Sequence, residues 1–115
     1  MNITVATKDD LLAINQLYKK LHPIECKLEN PIKHIDKANI EMHTLVAKSN
    51  SRVIGFLMML IIEYWDFKFA SVEELFVDKD FRKKGFGKRL VKKAIEIAKE
   101  QKVKVISIET DADNV

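Results

Sequence analysis

The chain has 115 residues, of which 47% are hydrophobic and 32% are charged. This length suffices for one domain with a hydrophobic core and is too short for two ordinary ones, so we expect a single domain over residues 1–115. The longest apolar run, Val53 to Ile62, is about half of the roughly 20 residues that a membrane-spanning helix needs. Because the N-terminus also lacks a secretory signal pattern, we expect a cytoplasmic protein without membrane contact.

The positive charge is concentrated in one segment. Residues 79–104 hold 11 Lys or Arg and 3 Asp or Glu, whereas the rest of the chain holds 9 and 14. Such a segment favours an anionic partner, which could be a nucleic acid, a membrane surface or a phosphorylated small molecule. The single cysteine, Cys26, has no partner for a disulfide or for metal binding, and His22, His34 and His43 form no ligand pattern, so we expect no metal site.

The N-terminal third predicts one strand and two helices. Residues 2–6 alternate apolar and polar side chains, as in a short strand. Thr7 and Asp10 have the spacing of a capping box, and the apolar residues that follow recur every three or four positions, which predicts an amphipathic helix ending near residue 22. Pro31 suits a first helical turn and predicts a second helix over residues 31–42.

The remaining chain predicts a hairpin followed by a strand, a helix and a strand. Residues 44–48 and 52–64 are strand-like and are joined by the polar sequence Ser-Asn-Ser, which predicts an antiparallel pair. Residues 70–77 predict a further strand, and residues 87–101 have helical apolar spacing. Alternation then returns over residues 103–110. A strand, helix and strand in this order make a βαβ unit, whose two strands are parallel.

The loop between residues 78 and 88 is the most informative segment. Gly85 and Gly87 let a ligand approach the main chain closely, and free N–H groups at a helix N-terminus form a concave set of donors for phosphate oxygens. Four cations add charge to this loop, namely Arg82, Lys83, Lys84 and Lys88. A Gly-x-Gly sequence before a helix is also compatible with a tight turn alone. The loop matches neither the three-glycine dinucleotide fingerprint nor the phosphate-binding P-loop.

Read together with its strand, this loop resembles a known motif. Val72-Glu73-Glu74-Leu75-Phe76-Val77, followed after four residues by Arg82-Lys83-Lys84-Gly85-Phe86-Gly87, is similar to the central motif of the GNAT superfamily of N-acetyltransferases. The loop of that motif reads Arg/Gln-x-x-Gly-x-Gly/Ala. Residues 53–56 look like the family's third strand and residues 7–21 like its first helix. The resemblance implies an α/β fold, in which a central mixed sheet is flanked by helices on both faces.

The resemblance also implies a binding site for acetyl-coenzyme A, wedged where two neighbouring parallel strands splay apart. The main chain of Leu75, Phe76 and Val77 is implied to pair with the pantetheine arm. The pyrophosphate is implied to bind Arg82 and the amides of the glycine loop, which are those of Lys83, Lys84, Gly85, Phe86, Gly87 and Lys88. Asn114 matches a further position that contacts the cofactor.

Transfer of an acetyl group to an amine needs a base that removes a proton from the attacking nitrogen. Glu73 and Glu74 are the candidates. On a regular strand they lie on opposite faces, so at most one enters the site, and Glu73 matches the base of polyamine-type members. The implied reaction is direct transfer to a primary amine of a polyamine, amino acid, aminoglycoside or peptide, with strand amides polarising the thioester carbonyl.

The chain departs from the family at its C-terminal end. Members normally continue with a helix and two strands that carry a tyrosine, and neither Tyr18 nor Tyr64 occupies that position. We therefore expect a C-terminally incomplete domain with an open edge at its last strand. Either two chains complete one another in a homodimer by strand or helix exchange, or the chain is a fragment with weak activity at best. Two alternatives are an acyl-coenzyme A-binding or regulatory protein with impaired activity and a nucleic-acid-binding module. Sparse aromatic residues in the basic segment disfavour the latter.

Overall fold

The computed structural model describes residues 2–21, 39–64 and 67–108. Within these ranges the chain forms five strands and two helices, in the order β1 (Asn2–Val5), α1 (Leu11–Leu21), β2 (Ile40–Ser49), β3 (Arg52–Tyr64), β4 (Phe67–Val77), α2 (Phe86–Glu100) and β5 (Val105–Ile108). A 3-10 turn precedes each helix, at Lys8–Asp10 and at Lys79–Phe81. None of the described helices is long and apolar enough to cross a membrane.

The five strands form one mixed sheet in the order β1-β2-β3-β4-β5. The β1–β2, β2–β3 and β3–β4 pairs are antiparallel, and β4–β5 is parallel. The predicted hairpin and the predicted parallel pair are therefore both confirmed. The parallel strands are joined through α2, as expected for a crossover connection.

The two helices cover opposite faces of this sheet, which confirms the layered α/β fold that the resemblance implies. On one face, α1 contributes Ile14 and Leu17 to a core with Val46, Phe56, Met58 and Phe76. On the other, α2 contributes Leu90, Ala94 and Ala98 to a larger core with inward residues of β2, β3 and β4. Burying each large aliphatic side chain of this kind stabilises the fold by about 1.5–3 kcal/mol.

Local sequence signals explain where the elements start and stop. The Asp10 carboxylate accepts a hydrogen bond from the Thr7 amide at 2.9 Å, which is one half of the predicted capping box at the start of α1. Asn50 and Ser51 have φ angles of 51° and 67°, so the β2–β3 hairpin turns through two left-handed residues. Beyond α2, Lys102 also has a left-handed φ of 62° and its amide donates to the Lys99 carbonyl.

One predicted boundary is wrong, and several predictions lie outside the described residues. Residues 40–42, expected at the end of a second helix, belong to β2, where Ile40 pairs with Ile62 and Met42 with Leu60. The long partner strand β3 supplies hydrogen bonds that extend β2 in this direction, and the apolar-polar alternation there has a period of two. Residues 31–38 of that predicted helix, Cys26, His22, His34 and Asn114 are not among the described residues.

Candidate active site

The strand β4 is interrupted by a bulge at Glu73. Met58 of β3 pairs with Glu74, and the next residue, Met59, pairs with Val72, so Glu73 is an extra residue in the ladder. On its other side, β4 pairs with β5 only from Phe69 to Val72. The bulge therefore begins where the described pairing with β5 ends. A bulge bends its strand and increases its twist, so the direction of β4 changes at Glu73.

This bulge corrects the expectation that Glu73 and Glu74 face opposite sides of the sheet. Glu74 pairs with Met58, which belongs to the α1-side core. The hydroxyl of Ser71 donates a 2.6 Å hydrogen bond to the Glu73 carboxylate, and Ser71 lies on the side opposite its neighbour Val72, which is in the α2-side core. Both carboxylates thus lie on the α1 side. The prediction failed because one inserted residue shifts the two-residue period of a strand.

The end of β4 presents main chain rather than side chains. Leu75, Phe76 and Val77 are 4%, 3% and 0% exposed, and their side chains alternate between the two cores. Their hydrogen bonds to β3 use one edge of β4. On the other edge, no ladder to β5 continues past Val72 among the described residues. This edge can offer backbone donors and acceptors to an extended ligand.

Two residues of the loop that follows β4 adopt left-handed backbone conformations. Lys83 has a φ of 62° and Gly85, the N-cap of α2, has a φ of 89°. The first backbone bond made by the helix amides is from Arg89 to the Gly85 carbonyl. The amides of residues 83–88 donate to no backbone carbonyl in the described part of the chain. Turns of this kind gather N–H groups into an anion-binding concavity.

The space above Gly85 is open. A Cβ placed on Gly85 would meet no heavy atom of the described residues within 4 Å. The glycine is therefore required by its φ angle and not by crowding from the protein. An anionic group can approach the loop at this position as closely as its own radius allows.

Aromatic side chains fix the loop onto the domain. Phe86 is buried in the α2-side core, and its ring meets that of Phe81 edge-on at 6.1 Å. The Nζ of Lys84 lies 5.6 Å from the Phe81 ring centre. Arg82 folds back: its Nε donates to the Val77 carbonyl at 2.7 Å and its guanidinium lies 5.0 Å from the Phe76 ring centre. Arg82 thereby ties the start of the loop to the end of β4.

Two features near the loop were not found from the sequence. A Cβ on Gly55 would lie 2.9 Å from the Phe76 carbonyl oxygen, so β3 approaches the end of β4 at a distance only glycine permits. Asp78 is 7% exposed, and its carboxylate contacts Lys20 at 3.0 Å and Arg52 at 3.3 Å. Burial by itself raises the pKa of the Asp78 carboxyl. The Lys20 hydrogen bond and charge, the Lys79 amide and the Arg52 charge outweigh burial and hold that pKa below its ordinary value.

A basic groove of about 740 Å³ separates β1 from α2. It is lined on the β1 side by Asn2, Ile3 and Thr4, and on the α2 side by Lys88, Arg89, Lys92, Lys93 and Glu96. Lys88 is its only lining residue from the predicted phosphate-binding loop. Most of the positive charge of α2 thus lies toward the β1 edge of the sheet, whereas β4 meets β5 at the other edge.

Three solved structures of similar fold carry the name acetyltransferase. A putative acetyltransferase from Agrobacterium tumefaciens superposes with a TM-score of 0.79 at 20% identity, over 96% of this chain and 82% of that one. An acetyltransferase from Vibrio fischeri gives 0.74 at 23% identity, over 94% and 96%. An aminoglycoside acetyltransferase from an uncultured soil sample, in complex with sisomicin, gives 0.74 at 18%, over 96% and 77%. At these identities the similarity demonstrates the fold.

Comparison of the sequence with known proteins and family profiles identifies the family of the chain. No curated protein matches the chain. The profile described as the acetyltransferase (GNAT) family matches residues 11–115, which include both helices, the bulged strand and the glycine loop. The chain therefore belongs to the GNAT family of acetyltransferases.

Proposed function

We propose that the chain transfers an acetyl group from acetyl-coenzyme A to a primary amine, with the cofactor bound along the end of β4 and across the glycine loop. The family generally uses acetyl-coenzyme A. The described residues fit this group, because the loop combines free amides, a left-handed Gly85 with open space above it and several cations. When bound, the cofactor supplies the acetyl thioester.

The observation that carries this proposal is the continuity of two donor sets. Among the described residues β4 pairs with β5 no further than Val72, and the stretch of β4 that follows leads directly into the loop amides of residues 83–88. The Val77 carbonyl at its end accepts from Arg82. An extended amide-containing arm pairs with such an edge, as an added strand does. A diphosphate at the end of that arm then meets the helix N-terminus, which favours each nearby anion by about 0.3–1 kcal/mol before the lysines contribute.

We assign Glu73 as the general base. Amines of the usual substrates are protonated near neutral pH, so the attacking nitrogen must first lose a proton. Glu73 is exposed and lies at the bulge, next to the point where pairing with β5 ends. The Ser71 hydroxyl holds its carboxylate at 2.6 Å and so fixes its orientation. Glu74 lies on the same side and adds a second negative charge that favours a cationic acceptor.

Titration of the purified chain with coenzyme A tests the cofactor assignment. We expect heat of binding in calorimetry and a rise in melting temperature, because a ligand that binds only the folded state stabilises it. Absence of both signals would refute it. Thiol release from acetyl-coenzyme A, screened against polyamines, aminoglycosides, amino acids and peptides, then identifies the acceptor. Binding without thiol release for any acceptor would favour the alternative of an acyl-coenzyme A-binding protein.

Replacing Glu73 tests the base. Glu73→Gln should leave coenzyme A affinity unchanged and slow transfer by about 10²–10⁴-fold, because the amide cannot accept the proton. Glu74→Gln is the matched control, since it removes the same charge one residue away on the same face. If Glu74→Gln is the slower variant, the roles of the two glutamates are exchanged. If neither slows transfer, the base lies elsewhere.

We further propose that the chain forms a homodimer. β5 is an edge strand of the described sheet and exposes Val105 by 48% and Ile108 by 36%. An apolar edge strand of this kind is prone to pair with another chain. Light scattering that gives the monomer mass at high protein concentration would refute the dimer without affecting the enzymatic proposal.

Nucleic-acid binding is a second candidate function, because a basic groove lies between β1 and α2. Its four cations lie on one face of α2. Phosphate contacts from such a face give binding that weakens steeply with added salt. Fluorescence anisotropy with a labelled single strand, repeated at several salt concentrations, tests this candidate. No binding at low salt would exclude it.

A further inference from the structure

Asp78 links the end of β4 to the 3-10 turn at Lys79–Phe81. Its amide donates to the Ile54 carbonyl at 2.7 Å, which extends the β3–β4 ladder by one residue. Its carbonyl accepts from the Phe81 amide at 2.8 Å, and its carboxylate accepts from the Lys79 amide at 3.0 Å. The backbone on both sides of Asp78 is thus fixed by bonds from this single residue.

The same carboxylate joins two distant elements to the loop. Lys20 reaches it from the last turn of α1 and Arg52 from the start of β3, 58 and 26 residues away in sequence. The two cationic side chains are 55% and 66% exposed, whereas the Asp78 side chain is 10% exposed. A carboxylate this buried needs such partners, since an unpaired buried charge is strongly unfavourable. The loop therefore begins at a point tied to both α1 and β3.

The 3-10 turn transmits this position to the phosphate-binding amides. Phe81, in the turn, packs against Phe86, which is anchored in the α2-side core. The guanidinium of Arg52 lies 5.8 Å from the Phe81 ring centre, so the ion cluster and the aromatic pair are in contact. The segment with left-handed Lys83 and Gly85 lies between the turn and α2. The amides of this segment can converge on one ligand only if both ends of the segment are held in place.

We infer that Asp78 is a positioning residue for the diphosphate of coenzyme A, an inference that rests on the proposed function. Its oxygens are occupied by Lys20, Arg52 and the Lys79 amide, so it acts through the loop and not by contact with the cofactor. Without its carboxylate, the loop amides are not arranged before the ligand arrives. The ligand must then order them on binding, which lowers affinity.

Asp10 provides a matched control within the same chain. It is 5% exposed, accepts a backbone hydrogen bond from Thr7 and pairs with Lys48 at 3.2 Å. It thus resembles Asp78 in burial, capping and ion pairing, but it sits at the opposite end of α1. Substitutions at Asp10 and Asp78 should therefore cause similar losses of stability and different losses of coenzyme A affinity.

The experiment measures the Kd for coenzyme A by calorimetry and the melting temperature for the wild-type chain, Asp78→Ala, Asp78→Asn, Asp10→Ala and Asp10→Asn. Asp78→Ala should raise the Kd about tenfold or more, since ordering one further residue on binding corresponds to about that factor. Asp78→Asn keeps an oxygen for the Lys79 amide and should fall between Ala and wild type. It also remains usable if the Ala variant does not fold. Both Asp10 variants should keep the wild-type Kd.

The steady-state constants give a second readout. If Asp78 only positions the diphosphate site, its variants should raise KM for acetyl-coenzyme A and leave kcat within about twofold. An unchanged Kd in both Asp78 variants would overturn the inference, and so would an equal rise of Kd in the Asp10 variants. Failure of the wild-type chain to bind coenzyme A would instead overturn the proposed function.

Discussion

Gly85→Ala should have two separate effects. It should lower the folding stability of the chain, and it should weaken the binding of coenzyme A in the space above the loop. At a φ of 89°, a residue with a Cβ is strained by about 1–2 kcal/mol. For a domain of this size the melting temperature should fall by about 4–8 °C. Within the part of the chain that the structure describes, the Cβ itself meets no atom within 4 Å, so we expect no additional steric cost of folding.

The same Cβ projects into the space that we assign to the diphosphate. It should prevent close approach to one or more loop amides, and losing one hydrogen bond to a charged group costs about 1.5–3 kcal/mol. We therefore expect the Kd for coenzyme A to rise by about 10–150-fold in calorimetry.

A control variant distinguishes this loss from general destabilisation. Ile14 is 2% exposed in the α1-side core, and Ile14→Val should lower stability by about 0.5–1.5 kcal/mol while leaving the loop intact. It should bind coenzyme A as the wild type does. A folded Gly85→Ala protein with wild-type affinity would refute the assignment of the loop amides to the diphosphate.

Three further predictions concern stability. Gly55→Ala should destabilise the fold by about 1–3 kcal/mol, because the new Cβ would lie 2.9 Å from the Phe76 carbonyl oxygen; an unchanged melting temperature would contradict this. Lys102→Gly should stabilise it by about 1 kcal/mol, because the Lys102 and Val103 amides close α2 through a left-handed residue that glycine adopts without strain; a lower melting temperature would argue against it. The pKa values of Asp10 and Asp78 lie below their ordinary value, so their stabilisation should be complete above about pH 5 and be lost as the pH falls through the native pKa values. Urea unfolding at several pH values measures this, and a slope in Asp10→Asn as steep as in the wild type would exclude Asp10 as a source.

Much of the fold follows from periodicity, because local patterns determine it. The apolar run bounded by polar residues over 52–64 and the helical spacing over residues 87–101 each predicted an element to within one residue of its observed start. The loop could be predicted as a phosphate-binding segment for a similar reason, since Gly85 and its flanking cations are contiguous. The left-handed φ of Gly85 agrees with the role that its sequence suggested.

The features that were missed depend on contacts between distant residues. Lys20 and Asp78 are far apart in sequence, and nothing local to either one indicates the other. The tight approach at Gly55 depends on how closely β4 packs, which composition does not reveal. The bulge was invisible because two adjacent glutamates give no apolar marker of which face each occupies. Ladder register is a property of two strands together.

The extra residue in β4 also bears on how far sequences of this fold can diverge. The bulge results from one more peptide unit on the β4 side of the β3–β4 ladder than on the β3 side. Side-chain identity contributes little to such a register shift, so substitutions along the strand can accumulate without removing it. A chain only 20% identical to this one can therefore keep nearly the same backbone, with a TM-score of 0.79. Deleting a single codon there would change the register more than many amino-acid replacements.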